Sequence, residues 1–427
     1  MSDYKPAVRS VLFKDDRNLV QCILPTDSLL DLRTLLSVTD RELVPITQQE
    51  IVSASRSRRL QPLAECRDFF VLPTFIDSSL SADDSLAVDE NGLTLSALRE
   101  TLHAREVSIR HLAFTIAADD LQQDLPEAEQ DSQQISDSIR HFTSLRIRQR
   151  LDETLEIPPL SATADRIMAL RANPNASVSE LTSIVEADPS LAAQVVSWAS
   201  SPYYAAPGKI RSVQDAIVRV LGFDLVSNLA IGLILGKTVE VPKDQSAGFT
   251  PYWLQAVYCS TAVEAMARMV PGSKRPRQGM IYLSGLLHNF GYLVLAHTFP
   301  EHFSTICRYA EANPQISHVA IEKHLIGISR EQISAWLMQS WNMPEEVSTA
   351  LRYQQDADYT GPHAIYANLI YIAMRLFRQH GIGDAPPETV SDEMFERCGL
   401  DRERCEALID KLVLSADITL IADQMSI

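Results

Sequence analysis

The spacing of apolar residues changes near residue 125. Before that point, short runs rich in β-branched residues alternate with polar turns, and a β-hairpin is predicted by VRSVLF, the turn KDDRN and LVQCIL. Two further segments have helical spacing, LDLRTLL and TQQEIVSAS, and a capping box from Thr47 to Glu50 opens the second. More strands are predicted by FFVLPTFID and VSIRHLAFTIA. The pattern therefore predicts a mixed α/β domain over residues 1–125.

The rest of the chain has a helical pattern. Residues 126–150 are polar with few apolar anchors, which indicates a linker with partial helical character. From about residue 155 the apolar positions recur at helical spacing, without the alternation of strands. We therefore expect an all-α domain over residues 151–355 and a helical C-terminal extension over residues 356–427. The predicted fold class is multi-domain, with a mixed α/β domain followed by an all-α domain.

Capping signals mark the starts of several helices in this second part. Ser177 is followed three residues later by Glu180, which is the spacing of a capping box. Asp188 precedes Pro189, which combines an N-cap residue with proline at the first helical position. Ser212 opens a further helix with one continuous apolar stripe. These signals predict helices that begin close to residues 178, 189 and 213.

Composition narrows the range of functions. The chain has 427 residues, 46% of them hydrophobic, and a formal net charge of −17, which disfavours non-specific binding to nucleic acid. Its six cysteines are scattered without a CxxC pair, so we expect reduced thiols and no zinc motif. No apolar run is expected to reach the length of about 20 residues that spans a bilayer, and the N-terminus lacks the apolar core of a secretion signal. We expect a cytoplasmic protein without a membrane partner.

Several helical blocks occur in an order that resembles the HD-related output domain (HDOD), a bacterial signalling domain. The blocks are IPPLSATADRIMAL, VSELTSIVEADPSLAAQVVSWASSPYY, IRSVQDAIVRVLGFDLVSNLAIG, LSGLLHNFGYLVL and ISREQISAWLMQSWNMPEEV. The resemblance covers about residues 151–355. It implies an all-helical relative of the metal-dependent HD phosphohydrolases that is associated with regulation and not with a defined reaction.

The positions of the metal ligands follow from this resemblance. Catalytic relatives use an early histidine, a His-Asp pair and later His or Asp ligands. Here Gln255 takes the early position, His288 and Asn289 take the pair, and Arg330 takes the next histidine position, while Tyr292 replaces the lysine that often follows the pair. A divalent ion needs several oxygen or imidazole ligands, and a guanidinium repels it. We therefore expect no metal or other cofactor and interpret His288 as a structural histidine.

The N-terminal part is similar to the YbaK-type aminoacyl-tRNA deacylase domain. The similarity is carried over about residues 5–120 by VRSVLFKDDRNLVQCILPTDSLLDLRTLL and LPTFIDSSL. That family places a lysine in its first strand and a glycine-bearing loop beside the scissile ester. Arg9 takes the lysine position, and Lys14 is the other candidate catalytic residue. The first 207 residues contain a single glycine, Gly92, so the resemblance implies a degenerate loop.

Two classes of function stay open on this reading. The favoured one is a non-enzymatic regulatory protein that binds other signalling proteins or a small nucleotide, with residues 126–150 as a bistable element and with Tyr203, Tyr204 and Tyr292 as candidate contacts. The alternative is an enzyme, either an aminoacyl-tRNA deacylase or a residual metal-dependent phosphohydrolase. Transfer RNA is the one nucleic acid kept as a partner, and a homo-oligomer formed by the C-terminal helices is a further alternative.

Overall fold

The chain divides into two compact units in the computed structural model. The first unit consists of Met1–Gln123, Asp244–Gly248 and Glu301–Leu325, and the second consists of Asp124–Lys243, Phe249–Pro300 and Ile326–Ile427. The structure describes residues 7–46, 50–51, 54, 60–63, 66, 68–82, 86–88, 93–121, 128–147, 161–173, 175–200, 209–238, 241–246, 248–386 and 388–425. The predicted start of the second N-terminal helix at Thr47 and the single glycine Gly92 lie outside these residues.

The described part of the first unit contains seven short strands. They are β1 (Val8–Lys14), β2 (Leu19–Pro25), β3 (Ser28–Leu30), β4 (Val44–Pro45), β5 (Thr74–Asp77), β6 (Ile109–Leu112) and β7 (Thr115–Ala117). Five of them form a mixed sheet in the order β4-β1-β2-β5-β6, and β3 pairs with β7. Strands β1 and β2 are antiparallel, with Val8 opposite Pro25 and Lys14 opposite Leu19, so the predicted hairpin is confirmed.

The helices that the structure bounds within the described residues are numbered in chain order. They are α1 (Leu32–Thr39), α2 (Leu95–Ala104), α3 (Ala128–Ile147), α4 (Ala162–Ala172), α5 (Val178–Glu186), α6 (Pro189–Ala199), α7 (Val213–Ala216), α8 (Phe223–Thr238), α9 (Tyr252–Met269), α10 (Gln278–Leu287), α11 (Phe290–Thr298), α12 (Pro300–Ala312), α13 (His318–Ile326), α14 (Arg330–Ser340), α15 (Glu345–Tyr353), α16 (Ala364–Gln379), α17 (Asp392–Cys398), α18 (Arg402–Val413) and α19 (Ala416–Met425). Short 3₁₀ segments cover Ser78–Ala82 and Ala118–Asp120.

Helices cover both faces of the five-stranded sheet. On one face, Leu95, Leu98 and Leu102 of α2 pack against Ile23 and Ile76. On the other face, the sheet residues Phe13, Val20, Cys22, Leu24 and Phe75 share a core with residues from α1 and α12, namely Leu35 and Ala312. A segment from far along the chain therefore completes the core of the N-terminal unit.

The loop after α12 is fixed to the strands by Asn313. Its side-chain amide donates to the carbonyl of Leu30 over 3.1 Å, and its side-chain oxygen accepts from the Leu30 amide over 2.7 Å. Tyr309 donates to the carboxylate of Asp31, one residue further along. The helical spacing of residues 301–325 predicts their helices, but nothing in it indicates that they cover a sheet.

The described residues of the second unit form helices, as the sequence pattern predicts. The capping box of Ser177 and Glu180 is present, and Asp188 accepts from the amides at the start of α6. Ser212 accepts from the amide of Asp215 at the start of α7. The predicted helix after Ser212 is different in detail, because its α-helical part ends at Ala216 and residues 217–221 continue as a π-helical turn.

The described part of the predicted linker is helical and belongs to the second unit. Residues 128–147 form the 20-residue helix α3, and Asp131 and Ile135 on it are buried. The polar composition of this segment gives no sign of the burial, since one of the two buried side chains is a carboxylate.

One apolar stretch among the described residues is long enough to cross a membrane. It runs from Gln278 to Thr298 through α10 and α11, and its apolar window has a mean hydropathy of 1.3 and is 94% buried. The expectation that no apolar run reaches this length was therefore wrong. Burial of this extent is also a property of the core helices of globular proteins.

Candidate functional site

Residues from three parts of the second unit take the positions that the resemblance assigns to metal ligands. Gln255 lies on α9, His288 and Asn289 lie between α10 and α11, and Arg330 is the first residue of α14. All four side chains are buried. Helices α11 and α14 approach closely at Gly291, where a β-carbon would lie 2.1 Å from the carbonyl oxygen of Arg330. Glycine at this position therefore allows the α11 and α14 backbones to come together beside the site.

The side chain of Arg330 occupies the centre of this group. One terminal nitrogen of its guanidinium donates to the Asn289 side-chain oxygen at 3.1 Å and to the Asp384 carboxylate at 2.5 Å. The guanidinium also lies over the ring of Tyr292, 5.3 Å from its centroid, and Tyr292 stacks on Phe249. A carboxylate, an amide and an aromatic face thus balance the charge of a buried cation.

His288 is held as a neutral imidazole. Its Nδ1 lies 2.8 Å from the carbonyl oxygen of Gly285, and because a carbonyl only accepts, the hydrogen is on Nδ1. The Nε2 atom is buried and has no hydrogen-bond partner within the described part of the chain. Burial lowers the pKa of His288 to about 4. The backbone of the residue is fixed as well, since Gln354 donates to its carbonyl oxygen over 2.6 Å. This arrangement fits the interpretation of His288 as a structural histidine.

Gln255 connects the site to the loop that follows α16. Its side-chain amide donates to the carbonyl oxygen of Thr250 at 2.7 Å, and the hydroxyl of Thr250 accepts from the amide of Gly383 at 3.0 Å. Gly383 has a positive φ of 82°, and a β-carbon there would meet Met374 at 2.8 Å. The next residue is Asp384. Glycine at position 383 therefore helps to place the carboxylate that balances Arg330.

These residues do not fit a divalent metal ion. Over the ranges that the structure describes, no three or more His, Cys, Asp or Glu side chains are arranged to hold one. At the site itself, His288 contributes the one imidazole, the amide oxygen of Asn289 already accepts from Arg330, and Arg330 is a permanent cation. The chemistry of the site is that of an ion pair between a buried guanidinium and a partly exposed carboxylate.

Of the three tyrosines predicted to contact a ligand, one lies within the described residues. Tyr203 and Tyr204 lie outside the described residues. Tyr292 is 3% exposed and lies between Phe249 and Arg330, so it reaches a ligand only when one of these two side chains moves.

Arg9, the first catalytic candidate of the N-terminal unit, is bonded to backbone and amide oxygens. It donates to the carbonyl of Ala312 at 2.9 Å, to the carbonyl of Ser28 at 3.2 Å and to the side-chain oxygen of Asn313 at 2.9 Å. Burial lowers the pKa of Arg9 to about 9, which leaves the side chain charged at neutral pH. These contacts join β1 to β3 and to the loop after α12.

Lys14, the second candidate, lies apart from Arg9. It forms an ion pair with Glu50 and lines a surface cleft of about 450 Å³. The cleft is formed by Lys14, Asp15, Asp16, Arg17, Asp40, Arg41, Glu42 and Val44. Because side chains alternate along a strand, residues five apart on β1 point to opposite faces of the sheet. The structure therefore does not bring the two catalytic candidates together.

Asp384 is the residue of the site that sequence reasoning missed. It lies in the predicted C-terminal extension, 54 residues after Arg330. Two features of the sequence are consistent with a role for Asp384. A cation at a core position of the helical domain requires an anion, and the sequence GIGDAPP places an acid directly after glycines in an otherwise helical region.

Comparisons with known proteins support a signalling family. Residues 157–357 match the HDOD domain. A crystal structure of a suggested signal transduction protein from Marinobacter aquaeolei VT8 is 39% identical, with a TM-score of 0.86 over 100% of this chain and 95% of the other. An HDOD domain protein of unknown function from Geobacter sulfurreducens shares the fold over 67% of this chain and 97% of its own, at 20% identity and a TM-score of 0.54.

A relative from Treponema pallidum (strain Nichols), described as an uncharacterized protein, is 24% identical over 221 residues. The match covers 51% of this chain, which spans 40% of the length of that relative. The similarity of residues 5–120 to YbaK-type deacylases stays a prediction.

Proposed function

The chain belongs to the HDOD domain family, and on that basis we propose that it is a signal-transduction protein that acts by binding and not by metal-dependent hydrolysis. The observation that carries this proposal is the ion pair of Arg330 with Asp384, which is joined by Asn289 at the former ligand positions. A guanidinium repels a dication, and the amide oxygen of Asn289, which could ligate one, already accepts from Arg330.

The Coulomb repulsion between Arg330 and a divalent metal ion is large enough to oppose metal binding. Two unit charges about 4 Å apart repel by about 4 kcal/mol at the effective dielectric constant that describes protein sites, so a dication beside a guanidinium meets about twice that. The Asp384 carboxylate compensates one positive charge, and Arg330 already uses it. A metal would therefore have to displace Arg330 from its partners before it could bind.

A small ligand with a phosphate group fits the same site better. Arginine recognises phosphate with the hydrogen-bond geometry that it uses for carboxylate, so a phosphate oxygen can replace the carboxylate of Asp384. Asn289 supports this exchange, because its side-chain nitrogen is buried and has no partner among the residues described. Asp384 is 27% exposed, which gives a ligand access from the side of this residue. The proposed ligand is therefore a small phosphate-bearing molecule, such as a nucleotide.

Titration of the full-length protein with pyrophosphate and with ATP tests this proposal. We expect the Asp384→Asn variant to bind at least about tenfold more tightly than the wild type, because the competing anion is gone. The Arg330→Met variant should not bind. Arg402→Met, which removes an arginine from an exposed pair with Asp392, is the control and should bind like the wild type. Equal affinities in all four proteins would contradict binding at Arg330.

Aminoacyl-tRNA deacylation by the N-terminal unit is the alternative, and less supports it. Arg9 already donates to three oxygen atoms within its own unit, and Lys14 lies on the other face of the sheet. Release of an amino acid from mischarged tRNA by the wild type, lost in Arg9→Ala or Lys14→Ala, would establish this activity independently of the helical unit.

A further inference from the structure

We infer that helix α3 is a docked latch whose seating on α14 and α15 is coupled to the Arg330 site. Helix α3 precedes the HDOD match in sequence and belongs to the same compact unit. The inference rests on the proposed function in one respect only, which is that a ligand at Arg330 provides the signal. The coupling itself follows from hydrogen bonds within the second unit.

One face of α3 forms the contact. Asp131, Gln134, Ile135 and Ser138 follow the spacing of three and four residues that places side chains on one side of a helix. Asp131 and Ile135 are buried, with 6% and 0% exposure. The hydroxyl of Ser138 lies 3.3 Å from the position that a β-carbon would take at Gly327, just before α14. Helix α3 therefore packs against the turn that leads into α14.

A buried ion pair holds α3 on α15. Arg352 donates to both carboxylate oxygens of Asp131, from Nε at 2.5 Å and from a terminal nitrogen at 2.9 Å. The two side chains are 3% and 8% exposed. When one partner of such a pair is removed, the charge left in the interior destabilises the fold. This explains how a helix of polar composition stays docked.

Gln332 links α3 to the start of α14. Its side-chain nitrogen donates to Asp131 at 2.8 Å and to Gln134 at 3.0 Å. Its side-chain oxygen accepts from the amide of Ser329 at 3.0 Å and thereby completes the capping box of α14. The same side chain thus contacts α3 and fixes the first turn of the helix that carries Arg330.

Two residues that bind α3 each lie two positions along the chain from a residue that contacts the Arg330 site. One pair is in α14 and the other is at the end of α15. In α14 these residues are Gln332 and Arg330. At the end of α15, Arg352 binds α3, and Gln354 donates to the carbonyl of His288. A shift of either helix end therefore changes both contacts. By thermodynamic reciprocity, a ligand that rearranges Arg330 alters the docking of α3, and release of α3 alters the Arg330 site by the same factor.

Hydrogen–deuterium exchange of the full-length protein, without ligand, tests the coupling. We expect Asp384→Asn to speed exchange in residues 131–138 by about fivefold or more, which is the lower end of typical coupling between sites. The reciprocal variant, Asp131→Asn, should speed exchange in residues 286–292 by a similar factor. Glu264→Gln, which alters a buried carboxylate that pairs with Arg268 inside α9, is the matched control and should change neither segment.

Helix α16 reports on general unfolding, because faster exchange there would mean that the whole unit opens. Effects that stay confined to residues 131–138 for Asp131→Asn and to the Arg330 site for Asp384→Asn would overturn the inference. That result would leave the proposed function untouched. Conversely, coupled exchange in the two segments of a protein that binds neither pyrophosphate nor ATP would contradict the proposed ligand. The inferred role of α3 would still hold.

Discussion

Arg330 donates a hydrogen bond to the side-chain oxygen of Asn289 over 3.1 Å, which joins two positions that the resemblance assigns to metal ligands. The side-chain oxygen of Asn289, which is the atom that could coordinate a metal ion, is already engaged by the guanidinium. The site is therefore not simply short of metal ligands. Its side chains form an ion pair with its own requirements for stability, and these can be measured.

The two partners of the ion pair should differ in their effect on stability. Asp384→Ala removes the carboxylate that pairs with the buried guanidinium of Arg330, whereas Arg330→Met leaves a carboxylate that is 27% exposed. We expect the free energy of unfolding in urea to fall by about 2 kcal/mol or more for Asp384→Ala and by less for Arg330→Met. Asp392→Ala, in an exposed pair with Arg402, should change it by about 0.5 kcal/mol at most. Equal losses for all three variants would mean that Arg330 is not held as a buried charge.

The close approach of α11 and α14 predicts a strong effect at Gly291. A β-carbon there would lie 2.1 Å from the Arg330 carbonyl oxygen, so Gly291→Ala must push the two helices apart. We expect a loss of about 1–3 kcal/mol in the free energy of unfolding, in spite of the better helix propensity of alanine. Gly272→Ala is the matched control, since a β-carbon there has no atom within 4 Å. If both variants are as stable as the wild type, the packing described for the site is wrong.

The buried imidazole predicts a specific dependence of stability on pH. The pKa of His288 is about 4 in the folded protein and about 6.5 in the unfolded chain. Between these values the unfolded chain binds the proton and the folded protein does not, so acid favours unfolding. The contribution is fully present above pH 6.5 and is lost progressively as the pH falls to about 4, by about 3 kcal/mol in total.

Urea unfolding of the wild type and of His288→Gln over this range measures that contribution. The difference in stability between the two proteins should shrink as the pH falls from 6.5 to 4, because glutamine does not titrate. A difference that stays constant over this range would show that His288 is not buried as a neutral group.

The sequence predicts structure best where the cause is local. The hairpin of β1 and β2 follows from two alternating runs around one turn, and the capping box at Ser177 follows from two residues three positions apart. The family resemblance also identifies, from the sequence, that Asn289 and Arg330 stand at positions where catalytic relatives have metal ligands.

Contacts between distant segments were not predicted. Asn313 joins Leu30 across 283 residues, and Arg330 meets Asp384 across 54. No periodicity or motif connects such pairs, because their proximity depends on how helices and sheet assemble. Asp131 illustrates the same point, since a carboxylate in a polar segment usually lies on a solvated surface, and its burial is explained by its distant partners Arg352 and Gln332.

Metal content tests the central claim most directly. The purified wild type and a triple variant with Gln255→His, Asn289→Asp and Arg330→His should be loaded with Mn²⁺ or Fe²⁺, desalted and assayed by elemental analysis. The variant restores the donors that the resemblance assigns to these positions, so it should retain more metal than the wild type, which should retain well below one equivalent. A wild type that retains one tightly held equivalent, lost in His288→Ala, would contradict the account.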